Sequence, residues 1–200
     1  MLKDRGYFNN HCEPNELNKK AYDMYLWNIQ ISSAFLEVIS LYEVTLRNTL
    51  VKALEPNYRQ YSILNDNFIR ALRHETREAL IVAVNKVSLN SHKYSAVRGA
   101  HGMIQPLKID PRDVPVGKVV AELNFVFWEN MLSKTHSSRW KAHYKEAFPN
   151  LVVEPNIGIE CQIARIHQIT GKVRELRNRI CHHEPIFDEN KINLSELYTW

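Results

Sequence analysis

Residues 163–187 read IARIHQITGKVRELRNRICHHEPIF, and this stretch decides how the rest of the chain is read. Ile163, Ile166, Ile169, Val173, Leu176 and Ile180 recur every three or four residues, the period of one helix face turned to a core. The spacing predicts a helix over about 156–183. Pro185 ends it by biasing Glu184 away from helical geometry. Charge gathers on the same element: Arg165, Lys172, Arg174, Arg177 and Arg179 stand against Glu175 alone. The chain as a whole has 26 Lys+Arg, 22 Asp+Glu and a formal net charge of +4, so this one helix accounts for its excess. Concentrated positive charge beside titratable His suits a phosphate-bearing partner. A solvated helix face is the plain alternative.

Outward from this segment the same helical period returns. From Asn15, which offers a cap, to Leu54 there is no Gly or Pro, and the apolar spacing predicts one long helix, or two end to end, stopped by Pro56. Further helices are expected over 66–89, 116–132 and 137–148, with a short one over about 194–200. Residues 90–117 hold three Gly and three Pro and read as a long irregular insertion, with a short strand or turn near 103–109. Residues 1–14 read as a loose polar leader and 15–200 as a single domain.

Composition narrows the class. A chain of 200 residues with 44% hydrophobic and 24% charged residues is globular. It buries roughly 70% of its unfolded surface and needs neither a disulfide nor a metal to fold. Cys12, Cys161 and Cys181 are odd in number and lack a C-x-x-C pairing, as expected of reduced thiols in a cytoplasmic protein. The first ten residues lack the apolar core of a signal peptide, and the apolar runs at 80–84 and 125–128 are too short to span a membrane. The expectation is an all-α, cytoplasmic protein with no membrane partner and no cofactor.

The chemistry lies at 174–187. Positions four apart nearly superimpose on a helix, which sets Asn178 beside His182 and Arg179 beside His183. Arg177 and His182, five apart, differ by about 140°. They converge only if the helix unwinds, if the Arg arm wraps round, or if a second protomer supplies one of them. Cutting RNA without a metal needs a base for the 2′-hydroxyl, an acid for the leaving 5′-oxygen and a cation for the phosphate charge. His182 and His183 fit the first two roles, and which is acid and which is base stays open. Arg177 offers a two-pronged grip on phosphate oxygens. Asn178 can fix the tautomer of His182. A polar helix end satisfying its own carbonyls explains an isolated His pair equally well. A metal shell of His182, His183 and Glu184 is weaker, because neighbours point about 100° apart and nothing completes the shell.

The segment LRNRICHHEPIF at 176–187 resembles the signature of the Abi-like (abortive infection) proteins. Within it, Arg177, four residues and His182 are similar to the Arg/His motif of HEPN proteins. Trp27-Asn28, residues 32–35, Glu43 to Asn48, GKVVAELNFVFWENML at 117–132 and residues 140–149 resemble further blocks of the family in order. The resemblance implies an all-α HEPN bundle, a homodimer whose two Arg/His motifs face one another, and metal-independent endoribonuclease activity. It places that activity in toxin–antitoxin or phage-defence settings, silenced by an antitoxin RNA or protein. By the same resemblance Arg177, Asn178, His182 and His183 take the catalytic positions. Lys172, Arg174 and Arg179, on the basic helix, are the expected RNA contacts. Glu43 and Arg47, four apart, either form a structural pair or line the cleft. A non-cleaving RNA-binding module and a regulatory scaffold are the competing readings.

Overall fold

From Pro14 to Tyr58 the chain forms one unbroken helix of 45 residues, α1. The computed structural model describes residues 14–59, 61–88, 109, 113–150 and 156–186. Residues 1–13 of the leader, most of the insertion, including all but Ile109 of the strand or turn expected near 103–109, and the expected helix over 194–200 lie outside them. The expected stop at Pro56 does not occur: the proline sits in the last turn and forgoes only its own N–H bond. The helix closes one turn later, where Arg59 turns left-handed (φ 64°) and its N–H bonds the Glu55 carbonyl at 2.6 Å.

The remaining helices are α2 (Asp66–Ala71), α3 (His74–Val87), α4 (Val116–Glu122), α5 (Phe125–Leu132), α6 (Lys134–Ser137), α7 (Tyr144–Ala147) and α8 (Ile159–Cys181). No strand occurs among the described residues, and the fold is all-α. Two of the expected helices are each split in two. The break between α2 and α3 falls at Leu72 and Arg73, both extended (ψ 147° and 155°), with Leu72 buried. Arg139 donates to the Ala71 carbonyl and Arg77 Nη2 to the Leu72 carbonyl at 2.6 Å, so the helix end is capped from elsewhere. The break between α4 and α5 carries its own cap: the Asn124 side chain accepts the Phe127 N–H at 3.0 Å. The expected helix over 137–148 is reduced to α6, a 3₁₀ turn at Lys141–His143 and α7.

The described residues group into two compact units, those within 1–41 and 175–200 and those within 42–174. The second holds the larger core. Leu50 and Leu54 of α1, Phe68 of α2, Leu80 and Val84 of α3, and Phe127, Trp128 and Met131 of α5 are essentially inaccessible. Fully burying such side chains is worth about 1.5–3 kcal/mol each. Two of the buried polar side chains are matched, Trp140 Nε1 donating to the Met131 carbonyl at 2.9 Å and Tyr144 Oη to Gln162 Oε1 at 2.7 Å, whereas Trp128 Nε1 and Ser62 Oγ are buried without a partner.

His136 is 2% exposed, with Nδ1 3.1 Å from Ser133 Oγ. Burial, reinforced by the charges of Arg139 and Arg73, pushes its pKa down to about 4. The unfolded chain takes up this proton near pH 6.5, so it binds the proton more readily than the folded one. The resulting stability is complete above pH 6.5 and is lost as pH falls toward 4, by at most about 3 kcal/mol. Urea denaturation at pH 7 and pH 4.5 measures it, and His136→Gln removes that portion of the pH dependence.

By length and composition α1 could cross a membrane: an 18-residue window reaches mean hydropathy 1.3, with 17% of it buried. No long uninterrupted apolar run marks it, because polar residues such as Gln30, Ser32, Ser33 and Glu37 are interspersed along the helix.

Candidate functional site

The residues singled out at the end of α8 belong to the first unit. Leu176 and Ile180 hold this last part of the helix on its core face. Helical register persists to His182, whose N–H bonds the Asn178 carbonyl at 2.9 Å. The roughly 140° separation of Arg177 and His182 therefore stands within one chain.

The helix then stops in a Schellman turn. The Glu184 N–H returns to the Arg179 carbonyl (2.9 Å) and the His183 N–H to the Ile180 carbonyl (3.0 Å). The turn requires a left-handed residue, and His183 adopts φ 55°, where glycine is the favoured occupant. A non-glycine residue held there is a strain associated with functional positions. His183→Gly is expected to stabilise the protein by about 0.5–1 kcal/mol in urea denaturation while removing the imidazole.

Beyond the turn the chain is anchored. Ile186 is fully buried, and its N–H is captured by Asn28 Oδ1 of α1 at 3.0 Å. Arg179 folds over the same segment: it donates to the Pro185 carbonyl and its Nε lies 3.6 Å from Glu184 Oε2, with the side chain 11% exposed. Asn28 had entered only as part of a resemblance block. A buried polar side chain within an apolar stretch of helix was the signal that could have singled it out.

The basic residues sort into different fates. Arg174, in the second unit, is committed to Glu129 of α5, Nε to Oε2 at 2.5 Å. Arg179 is committed to the turn. Two of the three residues expected to contact RNA are thus engaged within the fold, and the third, Lys172, is half-buried. Arg177 and Asn178 are half-buried, His182 and His183 exposed. No side-chain hydrogen bond or ion pair joins Arg177 or His182 to another described residue. Glu43 and Arg47 lie in the second unit, half-buried, and do not pair with each other. Among the described residues no three of His, Cys, Asp and Glu gather as a metal-holding group, His182, His183 and Glu184 included.

His183 lines a groove of about 240 Å³ in the first unit, together with Ile180, Cys181 and Tyr25, Asn28, Ile29 and Ser32 of α1. His183 and the pair Arg177/His182 are therefore presented differently. No curated protein and no solved structure shows significant similarity to this chain. The family model described as Abi-like protein matches residues 4–188, nearly the whole sequence, and the chain belongs to the Abi-like protein family.

Proposed function

We propose that the protein is a HEPN-type endoribonuclease, a homodimeric abortive-infection or toxin effector that cuts RNA in the cytoplasm without a metal ion. One observation carries the reading: Arg177 keeps its guanidinium uncommitted and His182, five positions on, is exposed, while Arg174 and Arg179 are consumed by the fold. One imidazole draws the proton from a ribose 2′-hydroxyl, whose oxygen attacks the adjacent phosphorus. The other protonates the departing 5′-oxygen, and the Arg177 fork holds the phosphate oxygens as charge builds on them. The products are a 2′,3′-cyclic phosphate and a 5′-hydroxyl.

The 140° separation supports dimerisation, because a twofold partner can set its His182 opposite this chain's Arg177. The outer side of α1 supports it with Trp27, Val38 and Leu41, which are 46%, 65% and 69% exposed. An antitoxin, RNA or protein, would silence the enzyme by covering the same cleft.

Incubating the purified protein with a long RNA in EDTA tests the proposal, with cyclic-phosphate ends as the expected product. Salt-sensitive binding without products would instead identify a binding module. Absence of RNA affinity would identify a scaffold.

A further inference from the structure

The groove of about 240 Å³ in the first unit holds a polar group that the fold leaves without a use. Serines inside helices ordinarily return their hydroxyls to the carbonyl four residues back. Ser33 does so to Ile29 at 2.9 Å, and Ser40 to Leu36 at 2.7 Å. Ser32, 9% exposed, does not: its Oγ is buried without a hydrogen-bond partner. An unmade hydrogen bond of this kind costs about 1–3 kcal/mol. The wall around it is mainly apolar, with Ile29, Leu36 and Ile180, and Tyr25 at its edge is 57% exposed. Its polar groups are few: Asn28, Ser32, Ser33, Cys181 and the strained His183, of which Asn28 and Ser33 are already bonded to backbone.

We infer that this groove is a subsite for one unpaired nucleobase, with Tyr25 as its stacking surface and Ser32 reading its edge. Unstacked bases are recognised in this way, by an aromatic face together with hydrogen bonds to an edge. The volume lies below the roughly 300–1,000 Å³ of drug-sized pockets, enough for one ring system and too little for two nucleotides. The subsite's role rests on the RNA-cutting reading: a base seated against His183 brings its own phosphate toward the adjacent His182. Ser32 is then a specificity-determining residue and not a catalytic one.

Titration calorimetry with the four nucleoside 5′-monophosphates, inorganic phosphate and single-stranded RNA trimers tests the subsite separately from catalysis. One base should bind at least about tenfold more tightly than phosphate, and its trimer more tightly still. Ser32→Ala should weaken that base by about three- to tenfold, the loss of one hydrogen bond, without lowering the melting temperature. Ser32→Leu should fill the groove and remove base discrimination. If the wild type does not cut RNA but these differences hold, the subsite stands and the cutting proposal fails. Equal binding of all four nucleotides and phosphate would overturn the subsite. So would affinity for mononucleotides without affinity for trimers, or discrimination that survives in a folded Ser32→Leu variant.

Discussion

Arg177→Ala slows RNA cleavage in EDTA by about 10²–10³-fold, the usual loss when a fixed donor to developing charge is removed. His182→Ala slows it by about 10²–10⁴-fold, as removal of a general acid or base does. Neither variant loses stability beyond about 0.5 kcal/mol, because neither side chain holds a partner in the described fold. Arg177→Lys recovers only part of the rate, since an ammonium is a point charge without the guanidinium's paired donors. The decisive measurement is a mixture. Refolding Arg177→Ala with His182→Ala produces heterodimers in which one of the two twofold-related sites draws an intact Arg from one chain and an intact His from the other. Activity then returns to about a quarter of wild type, because half the dimers are mixed and each has one working site. A site contained within one chain recovers nothing. The about 140° between the two residues, preserved by the helical bond to His182, is what makes recovery the expected result.

Periodicity located the element to which this chemistry is assigned by proposal. The Ile163 to Ile180 stripe anticipated α8, and Pro185 anticipated its end near His183. The same reasoning could not find the break at Leu72 and Arg73. No Gly or Pro marks it, and the groups that cap it, Arg77 and Arg139, are supplied by α3 and by a turn far along the chain. Asn124 was a legible cap, yet the apolar run that follows it hid the boundary between α4 and α5. Pro56 misled in the opposite sense, because a missing N–H costs little in a final turn. At the site, the spacing of Arg177, Asn178 and His182 was readable, since helix geometry is local. The commitments of Arg174 and Arg179 were not: one depends on a glutamate 45 positions earlier and the other on a carbonyl exposed only by the turn. Nor could the sequence show that Asn28 holds Ile186 across 158 positions.

Arg174→Ala is the variant expected to cost most stability among the basic residues of α8. Its partner Glu129 keeps only 14% of its side-chain exposure, and Arg174 itself 30%. Deleting one member of a largely buried pair leaves the other charge desolvated. The full penalty of about 3–5 kcal/mol is reduced here to about 2–3 by the residual solvent on Arg174. For a chain of this size that lowers the melting temperature by about 5–10 °C. The surroundings are built for the carboxylate. A Cβ on Gly171, one turn back on α8, would stand 3.3 Å from Glu129 Oε1, which accounts for a glycine in the interior of a helix. Replacing both partners, Arg174→Met with Glu129→Leu, should bring stability back to within about 1 kcal/mol of wild type, because the desolvated charge disappears with its mate. The same pair of variants decides what Arg174 does for RNA. A phosphate contact would lower the salt slope of binding by about one unit in both variants. A guanidinium held by Glu129 predicts an unchanged slope in both, with the single variant unstable and the double variant stable.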